Sequence, residues 1–466
     1  MNKRLILTLA FALALCFAFS AYAEVQNVKV SGDITVLGLV RNPFLTGGHI
    51  DDGTGVSTGQ KTESAMASIT RVRIDADLTD NVVATVRLLN ERYWGREIDN
   101  NGGTNTKNSD IDLDLAYVTL KEFLYSPLSL AVGRQELHFG NDMILGDPDT
   151  NNQVTTASPF GATTWPRNMD LSARKSFDAV RATLDYNPLV IDLVASTIKN
   201  RTLNRDDNES LYGINANYAL DKNTTLEGYF WQRRIGKKTD NTTTVIHNNK
   251  VDTTDVVGLR AVTKPIENLT YQLEAAYQFG TRVNTTLTTP GSVTGTTQTR
   301  SALGIETSLT YDFKKVKYTP SATALYAYFS GDKSSGTKRY TGWDAMYENQ
   351  TFGNIANTLF NQTNIHLAGG VLTAKPMDDI TLKGEYYAYW WDKRLGNTAS
   401  AIASGETLAM TGKKFAGQEL DLTLTYDYTE DVQFSLLGGY FKTGNSFDKQ
   451  NRNTSGEVIG SMKVTF

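Results

Sequence analysis

The sequence predicts an all-β protein, a transmembrane antiparallel β-barrel of about eighteen strands with long external loops and short periplasmic turns. Three observations predict it. The chain opens with a signal peptide, it then shows strand patterns with little that is typical of helix, and the connections between these strands alternate long and short to the end of the chain. A soluble sandwich or propeller has many strands but not this alternation.

Residues 1–23 are predicted to be the signal peptide. Lys3 and Arg4 precede an apolar run over residues 5–19, and Ala21-Tyr22-Ala23 is a cleavage site before Glu24. The remainder, 24–466, is predicted to be one barrel domain because it has no linker or proline-rich boundary. The only cysteine, Cys16, lies in the signal peptide, so the mature chain has neither a disulfide nor a cysteine-bound haem or metal.

Charge and motifs exclude several function classes. The full chain has 46 Lys and Arg and 50 Asp and Glu, and removal of the signal peptide leaves 44 bases and 50 acids, a net charge of −6. This balance argues against a nucleic-acid binder. The histidines at positions 49, 138, 247 and 366 are scattered, and no hydrolase, metalloprotease or phosphate-binding motif occurs. We therefore expect neither enzymatic activity nor a cofactor.

The connections follow the alternation in order along the chain. The short ones carry Asp, Asn and Pro turn signals and are residues 79–81, 125–127, 187–188, 221–223, 265–268, 314–315, 376–379 and 429–431. The long ones are rich in Gly, Asn, Thr and Ser and are residues 43–62, 96–109, 141–175, 199–208, 239–251, 283–299, 334–359, 395–416 and 448–453.

Within the strands, apolar and polar residues alternate. Leu420, Leu422 and Leu424 alternate with Glu419 and Asp421, and residues 71–78 and 303–311 follow the same pattern. One face therefore meets hydrocarbon and the other meets water, which predicts a wet lumen. Aromatic residues near strand ends predict girdles at the membrane surfaces, with ordinary β-propensity as the alternative explanation; they are Tyr93, Trp94, Phe123, Tyr125, Tyr229, Phe230, Trp231, Tyr386, Tyr387, Tyr389, Trp390, Trp391, Tyr440 and Phe441. With the signal peptide, the terminal Phe466 indicates the outer membrane of a Gram-negative bacterium.

One long loop organises the predicted pore. It joins predicted strands at residues 128–140 and 176–186, and it has no helical or strand pattern of its own. A wide barrel has room for such a loop inside its lumen. We therefore expect this loop, after the fifth strand, to form the narrowest part of the pore.

Motifs around this loop carry a family resemblance. They are Gly133-Arg134-Gln135, Phe139-Gly140-Asn141-Asp142, Ile144-Leu145-Gly146, Trp165-Pro166-Arg167-Asn168 and residues 176–181. A second block comprises residues 342–347, the strand around Asn364 and residues 418–422. Together these motifs resemble the alginate-export family of outer-membrane barrels. The resemblance implies an outer-membrane channel for alginate or a related solute.

Strand parity selects candidate lumen-facing charges, because polar groups in the lumen set selectivity. They are Arg71, Arg73, Asp75, Asp77, Arg87, Glu91, Arg181, Asp185, Asp192, Arg260, Glu274, Glu306, Lys383, Glu385, Glu419 and Asp421. Arg134, Arg167 and Arg174 join them because they flank or lie on the organising loop. The parity set holds six bases and ten acids, which predicts a mixed, acid-rich lining. Alternatively, these charges pair across strands and stiffen the wall.

Two further kinds of site stay open at this stage. Tyr387 and Trp391 are candidates for stacking on sugar rings if they face inward, and otherwise belong to the girdle. The acid-rich segments 51–52, 147–152 and 206–209 have oxygen ligands suited to Ca²⁺, although solvated loop chemistry is favoured because their spacing is not that of an EF-hand.

The leading prediction is an outer-membrane porin for passive diffusion or export of hydrophilic solutes such as oligosaccharides or polysaccharides, in contact with outer-membrane lipid. The second is a structural sheath or a partner-binding surface protein, for example a barrel around a separate multihaem cytochrome, with a periplasmic or surface protein as its partner. A third, an outer-membrane hydrolase, has no convincing nucleophile.

Overall fold

The computed structural model describes residues 27–42, 50–51, 57–58, 62–94, 111–150, 171–199, 208–236, 250–289, 292–332, 338–395, 398–399, 408–449 and 454–466. The predicted signal peptide lies outside the described residues. So do Arg167 with the rest of its motif and parts of each of the three acid-rich segments.

Eighteen strands form the wall. In chain order they are β1 (Asn27–Arg41), β2 (Glu63–Thr79), β3 (Val82–Tyr93), β4 (Asp112–Leu120), β5 (Leu128–Gln135), β6 (Phe177–Asp185), β7 (Leu189–Lys199), β8 (Glu209–Asp221), β9 (Thr224–Ile235), β10 (Asp252–Ile266), β11 (Leu269–Thr289), β12 (Ser292–Asp312), β13 (Ser321–Phe329), β14 (Ile365–Met377), β15 (Ile380–Trp391), β16 (Phe415–Asp427), β17 (Val432–Thr443) and β18 (Thr454–Thr465). Each pairs antiparallel with its neighbours in the chain, and β1 also pairs with β18, which closes the barrel. The predicted fold is confirmed.

The other elements are short. Helix α1 (Asn354–Leu359) lies in the connection between β13 and β14. Two-residue strands pair 50–51 with 57–58 and 398–399 with 408–409, and residues 339–340 pair with β12. Across the parts of the chain that the structure describes, no helix is long and apolar enough to cross a membrane.

The two faces of the wall follow the predicted alternation. On β16, Leu420, Leu422 and Leu424 are exposed on the outer face, while Glu419 and Asp421 are buried on the inner face. Exposed leucines are stable here because they meet lipid rather than water.

Strand lengths differ from the prediction in two places. Residues 283–299, predicted as a loop, are mostly strand, because β11 and β12 continue as a hairpin of 21 residues on each side. Threonine and valine dominate this segment, and β-branched residues favour strands. β5 ends at Gln135 rather than at residue 140. Beyond it the chain turns into the barrel, where Leu137 and Phe139 are buried.

The predicted aromatic girdle is only half correct. Trp94, Tyr125, Phe230, Tyr386, Trp390 and Tyr440 are exposed, as a girdle requires. Tyr229, Trp231, Tyr387, Tyr389, Trp391 and Phe441 are buried on the inner side. Phe123 is half-buried, and the side chain of Tyr93 is outside the described part. Successive residues of a strand point to opposite faces, so an aromatic run divides between lipid and lumen.

Candidate functional site

Two loops fold into the barrel and contact each other. We call the described residues between β5 and β6, 136–150 and 171–176, the first inserted loop, and those between β13 and β14, 330–332 and 338–364, the second inserted loop. Tyr347 N–H donates to the Ile144 carbonyl at 3.1 Å, and Gly146 N–H donates to the Tyr347 carbonyl at 2.8 Å. The inward course of the first loop was predicted for residues 141–175, and its described part follows it. The second was expected to be an ordinary external loop, which is wrong.

The apex of the first inserted loop rests on carboxylates of the wall. Gly140 N–H donates to Glu227 Oε1 at 2.9 Å, and Asn141 N–H donates to Glu274 Oε2 at 2.8 Å. The Asn141 side chain donates to Glu306 Oε2 at 2.9 Å. The wall therefore holds the loop through two backbone N–H groups and the Asn141 side chain.

These glutamates form one row across the wall. Glu227 lies opposite Arg260, Arg260 opposite Glu274, and Glu274 opposite Glu306. Arg260 is the single base in this row and lies 3.2 Å from Glu227 and 3.8 Å from Glu274. The Tyr229 hydroxyl also donates to Glu274, at 2.7 Å. Parity identified Glu274 and Glu306 but missed Glu227, although Glu227 shares its face with Tyr229 and lies opposite Arg260.

The second inserted loop is held in the same way. The N–H groups of Ile355 and Ala356, in the first turn of α1, donate to the Glu419 carboxylate at 2.7 and 2.8 Å. Asn354 N–H donates to Asp421 Oδ2 at 3.1 Å. These N–H groups have no partner within the helix, so the wall carboxylates satisfy them.

Two further wall contacts attach the loops, an ionic one at Asp344 and a hydrogen-bonded one at Glu91. Asp344 of the second inserted loop contacts Arg233 on β9 and lies 3.3 Å from Arg300 on β12. Glu91 on β3 accepts a hydrogen bond from Ser172 Oγ at 2.9 Å and from Ala173 N–H, at the return of the first loop.

Burial removes most of the acids from the predicted lining. Six of its ten acids are buried under the loops or in the wall; they are Glu91, Asp192, Glu274, Glu306, Glu419 and Asp421. The side chains of the bases Arg71, Arg73, Arg181 and Lys383 keep between 27% and 45% of their surface exposed. Strand parity predicts which face of the wall a residue lies on, but it does not predict whether a loop covers that residue.

The structure puts most of the predicted residues on the inner face. Arg71, Arg73, Asp75, Asp77, Arg87, Glu91, Arg181, Asp185, Arg260, Lys383 and Glu385 share the parity opposite to the exposed apolar residues of their strands. They form local pairs rather than one cluster. Examples are Arg73 with Asp75 at 2.7 Å, Arg181 with Asp192 at 2.8 Å and Lys383 with Glu385 at 2.7 Å. Asp185 caps a periplasmic turn by accepting the Asn187 N–H at 3.1 Å.

Arg134 does not face the lumen. It shares its face with the exposed Val132, and it lies opposite Asp178, to which it donates at 2.8 and 2.9 Å. The Arg134–Asp178 pair lies on the outer surface. The motif that contains Arg134 spans the end of β5, where both faces of the strand carry polar residues.

Arg174 joins the two inserted loops. Its Nε donates to Asn349 Oδ1 at 2.9 Å and lies 4.0 Å from the buried Asp147 Oδ2. Asp147 accepts the backbone N–H groups of Asp149 and Lys175. Among the described residues, no group of three or more His, Cys, Asp or Glu side chains is arranged to hold a metal ion.

The inserted loops pack mainly against the β6–β17 side of the lumen, although Leu171 also packs against Leu37 on β1 and Ala67 on β2. Their apolar side chains, such as Leu145 and Phe360, share a continuous core with inner-face residues from Phe177 on β6 to Phe441 on β17. Tyr387 and Trp391 belong to this core, so neither is free to stack on a sugar. Among the described residues, this core includes none from β18 or from β1–β5. The inner face of those strands carries Arg71 and Arg73.

Comparisons with known proteins agree with this architecture. The alginate export family model matches residues 51–461. Crystal structures of Pseudomonas aeruginosa OccK8 (OprE) and Acinetobacter baumannii OccAB1 are similar at TM-scores of 0.55 and 0.53, each with 12% identity. The first alignment covers 95% of this chain and 98% of OccK8, and the second covers 96% and 100%. Identity this low shows a shared fold alone. The comparison with curated proteins gives no match.

The closed barrel, the two inserted loops and the family match over most of the chain lead to one conclusion: the protein belongs to the alginate export family and is an outer-membrane channel of a Gram-negative bacterium.

Proposed function

We propose that this channel carries hydrophilic, hydroxyl-rich solutes of the oligosaccharide or polysaccharide class, including acidic ones, by diffusion through the part of the lumen that the inserted loops leave open. The observation that carries the proposal is the burial of wall carboxylates beneath the inserted loops. It leaves the bases Arg71, Arg73 and Lys383 partly exposed, whereas six of the ten acids of the parity set are buried. Basic groups attract anionic solutes and offset the loss of hydration of their carboxylates.

Hydroxyl groups line the wall between the inserted loops and the periplasmic turns. Inner-face positions here are Thr183, Thr225, Thr270, Thr310, Thr323, Thr373, Thr381 and Thr425. Threonine hydroxyls donate and accept, so they exchange hydrogen bonds with water and with sugar hydroxyls alike. Such a surface favours passage over tight retention.

Conductance of the refolded protein in a planar bilayer tests the proposal. Under a salt gradient we expect anion preference, and block by alginate oligomers added at either side. The Arg71→Gln/Arg73→Gln variant should lose much of both, whereas Lys413→Gln/Lys414→Gln, which removes two exposed external charges, should keep them. Cation preference without block by alginate or neutral oligosaccharides would contradict the proposal.

The same experiment addresses the sheath hypothesis. The loops and their core occupy the β6–β17 side of the lumen, which disfavours a second protein inside the barrel. A correctly folded barrel without any conductance would favour the sheath hypothesis over the channel.

A further inference from the structure

The turn between β12 and β13 is unusual among the periplasmic turns. It has eight residues, 313–320, whereas residues 222–223 and 378–379 form turns of two. Its own backbone fixes it, because Phe313 N–H donates to the Pro320 carbonyl at 2.8 Å and Val316 N–H donates to the Phe313 carbonyl at 3.0 Å. The Tyr318 carbonyl also accepts the Lys375 N–H at 2.9 Å, which ties the turn to β14.

This turn displays lysines together with apolar side chains. Lys314, Lys315 and Lys317 are exposed, and within the described part of the chain no carboxylate forms an ion pair with them. Phe313, Val316 and Tyr318 are exposed between the lysines. The Lys317 ammonium lies 4.6 Å from the centre of the Tyr318 ring. A basic and apolar surface, held by the hydrogen bonds of the turn, is therefore exposed at this end of the barrel.

Its position matches the headgroup layer of the periplasmic leaflet. Tyr311, the last outward aromatic of β12, packs edge-on against Phe313 at 4.7 Å between ring centres. Aromatic rings favour the membrane surface, so the lysines that follow them lie at the level of lipid phosphates. Near an anionic membrane each lysine adds about fivefold to affinity.

We propose that residues 313–320 bind the phosphate groups of anionic phospholipids in the periplasmic leaflet and anchor this side of the barrel to them. The other long periplasmic turn, residues 121–127, offers a contrast within the same protein. It also exposes apolar side chains, Leu124 and Tyr125, but its Lys121 is followed directly by Glu122. Of the two long periplasmic turns, the one after β12 is thus the basic one.

Native mass spectrometry of the detergent-solubilised protein tests this, with phosphatidylglycerol and phosphatidylcholine of equal chain length as probes. We expect wild type to prefer phosphatidylglycerol by roughly tenfold or more. Lys314→Gln/Lys315→Gln/Lys317→Gln should abolish most of this preference. The control, Lys413→Gln/Lys414→Gln/Lys449→Gln, removes three exposed lysines on the external side and should retain it. Heat-modifiable mobility on gels checks that all variants fold.

Three results would overturn the proposal. The first is equal binding of the two lipids by wild type, and the second is an unchanged preference in the variant of the turn. The third is complete displacement of the lipid by a polyglutamate peptide, because that result would assign the turn to an acidic protein partner. Glycerol phosphate at the same concentration should not compete, since it lacks the acyl chains that hold the phosphate at the membrane. Conductance plays no part in this readout, so the result is independent of the proposed transport function.

Discussion

At the scale of single residues, Gly140 is where the first inserted loop meets the wall. It has a φ of 65°, and a Cβ at this position would lie 2.6 Å from Glu274 Oε1. Gly140→Ala therefore adds both strain and a clash, and we expect it to weaken the attachment of the loop by about 1–3 kcal/mol. Single-channel recording should show larger and noisier conductance.

Gly438 on β17 is the matched control for this substitution. A Cβ there would meet no atom within 4 Å, so Gly438→Ala should conduct as wild type does. If Gly140→Ala also behaved as wild type, the contacts at the apex would not be what holds the loop.

Glu348 in the second inserted loop makes the stability of that loop depend on pH. Burial raises the pKa of Glu348 to about 8, although its carboxylate accepts the Gln350 N–H at 2.7 Å. A glutamate in the unfolded chain titrates near pH 4.3. The pKa of Glu348 is higher in the folded than in the unfolded chain. Its contribution to the free energy of unfolding is therefore complete below about pH 4 and is lost as the pH rises through about 8.

We expect the amides of residues 344–350 to lose hydrogen-exchange protection between about pH 5 and 8, after correction for intrinsic exchange rates. Glu348→Gln stays neutral and should remove this slope. An unchanged slope in the variant would assign the effect to another group.

The face on which a single residue lies could be predicted from the sequence where its strand is regular. Alternation put Glu274, Glu306, Glu419 and Asp421 on the inner face, where they lie. It did not show that loops cover them, because the covering groups come from distant parts of the chain. Arg134 was misplaced since its motif extends from the strand into the loop.

At the scale of elements, α1 depends on the wall. The Glu419 carboxylate accepts two N–H groups from its first turn, and Gly353, which precedes it, has a φ of 79°. Glu419→Ala leaves these donors buried without their acceptor, which costs about 1–3 kcal/mol for each unsatisfied group. Limited proteolysis should then cut within residues 338–364. Glu430→Ala, in an exposed periplasmic turn, should leave the loop resistant, and equal resistance of both variants would contradict this role of Glu419.

The strands were predictable because each carries its own alternation and turn signals. The inward course of the first inserted loop was predictable from its length. The inward course of the second inserted loop could not be predicted, because its burial depends on partners far along the chain. Its Gln350, for example, donates to the Asn141 carbonyl, 209 residues away. No local pattern in residues 330–364 records that contact.

At the scale of the whole molecule, the two inserted loops act as one body. Residues 142–147 hydrogen-bond to residues 347–349 over several backbone groups, and Leu145 pairs with Tyr347. Loosening one loop should therefore weaken the other, and effects of residues that share partners are not additive.

The double variant Gly140→Ala/Glu419→Ala tests this coupling. Its loss of unfolding free energy should differ from the sum of the two single losses by about 0.5–3 kcal/mol. Chemical denaturation of all four proteins measures the difference. Simple additivity would mean that each loop is held by the wall independently.

The wall carboxylates also determine the order of assembly. The apex of the first inserted loop requires acceptors that lie 87, 133 and 165 residues further along the chain. Contacts so distant in sequence form late, since the intervening chain must first be ordered. The apex contacts therefore form only after the wall strands up to β12 are in place, so the assembling barrel passes through a stage in which this part of its lumen is still open.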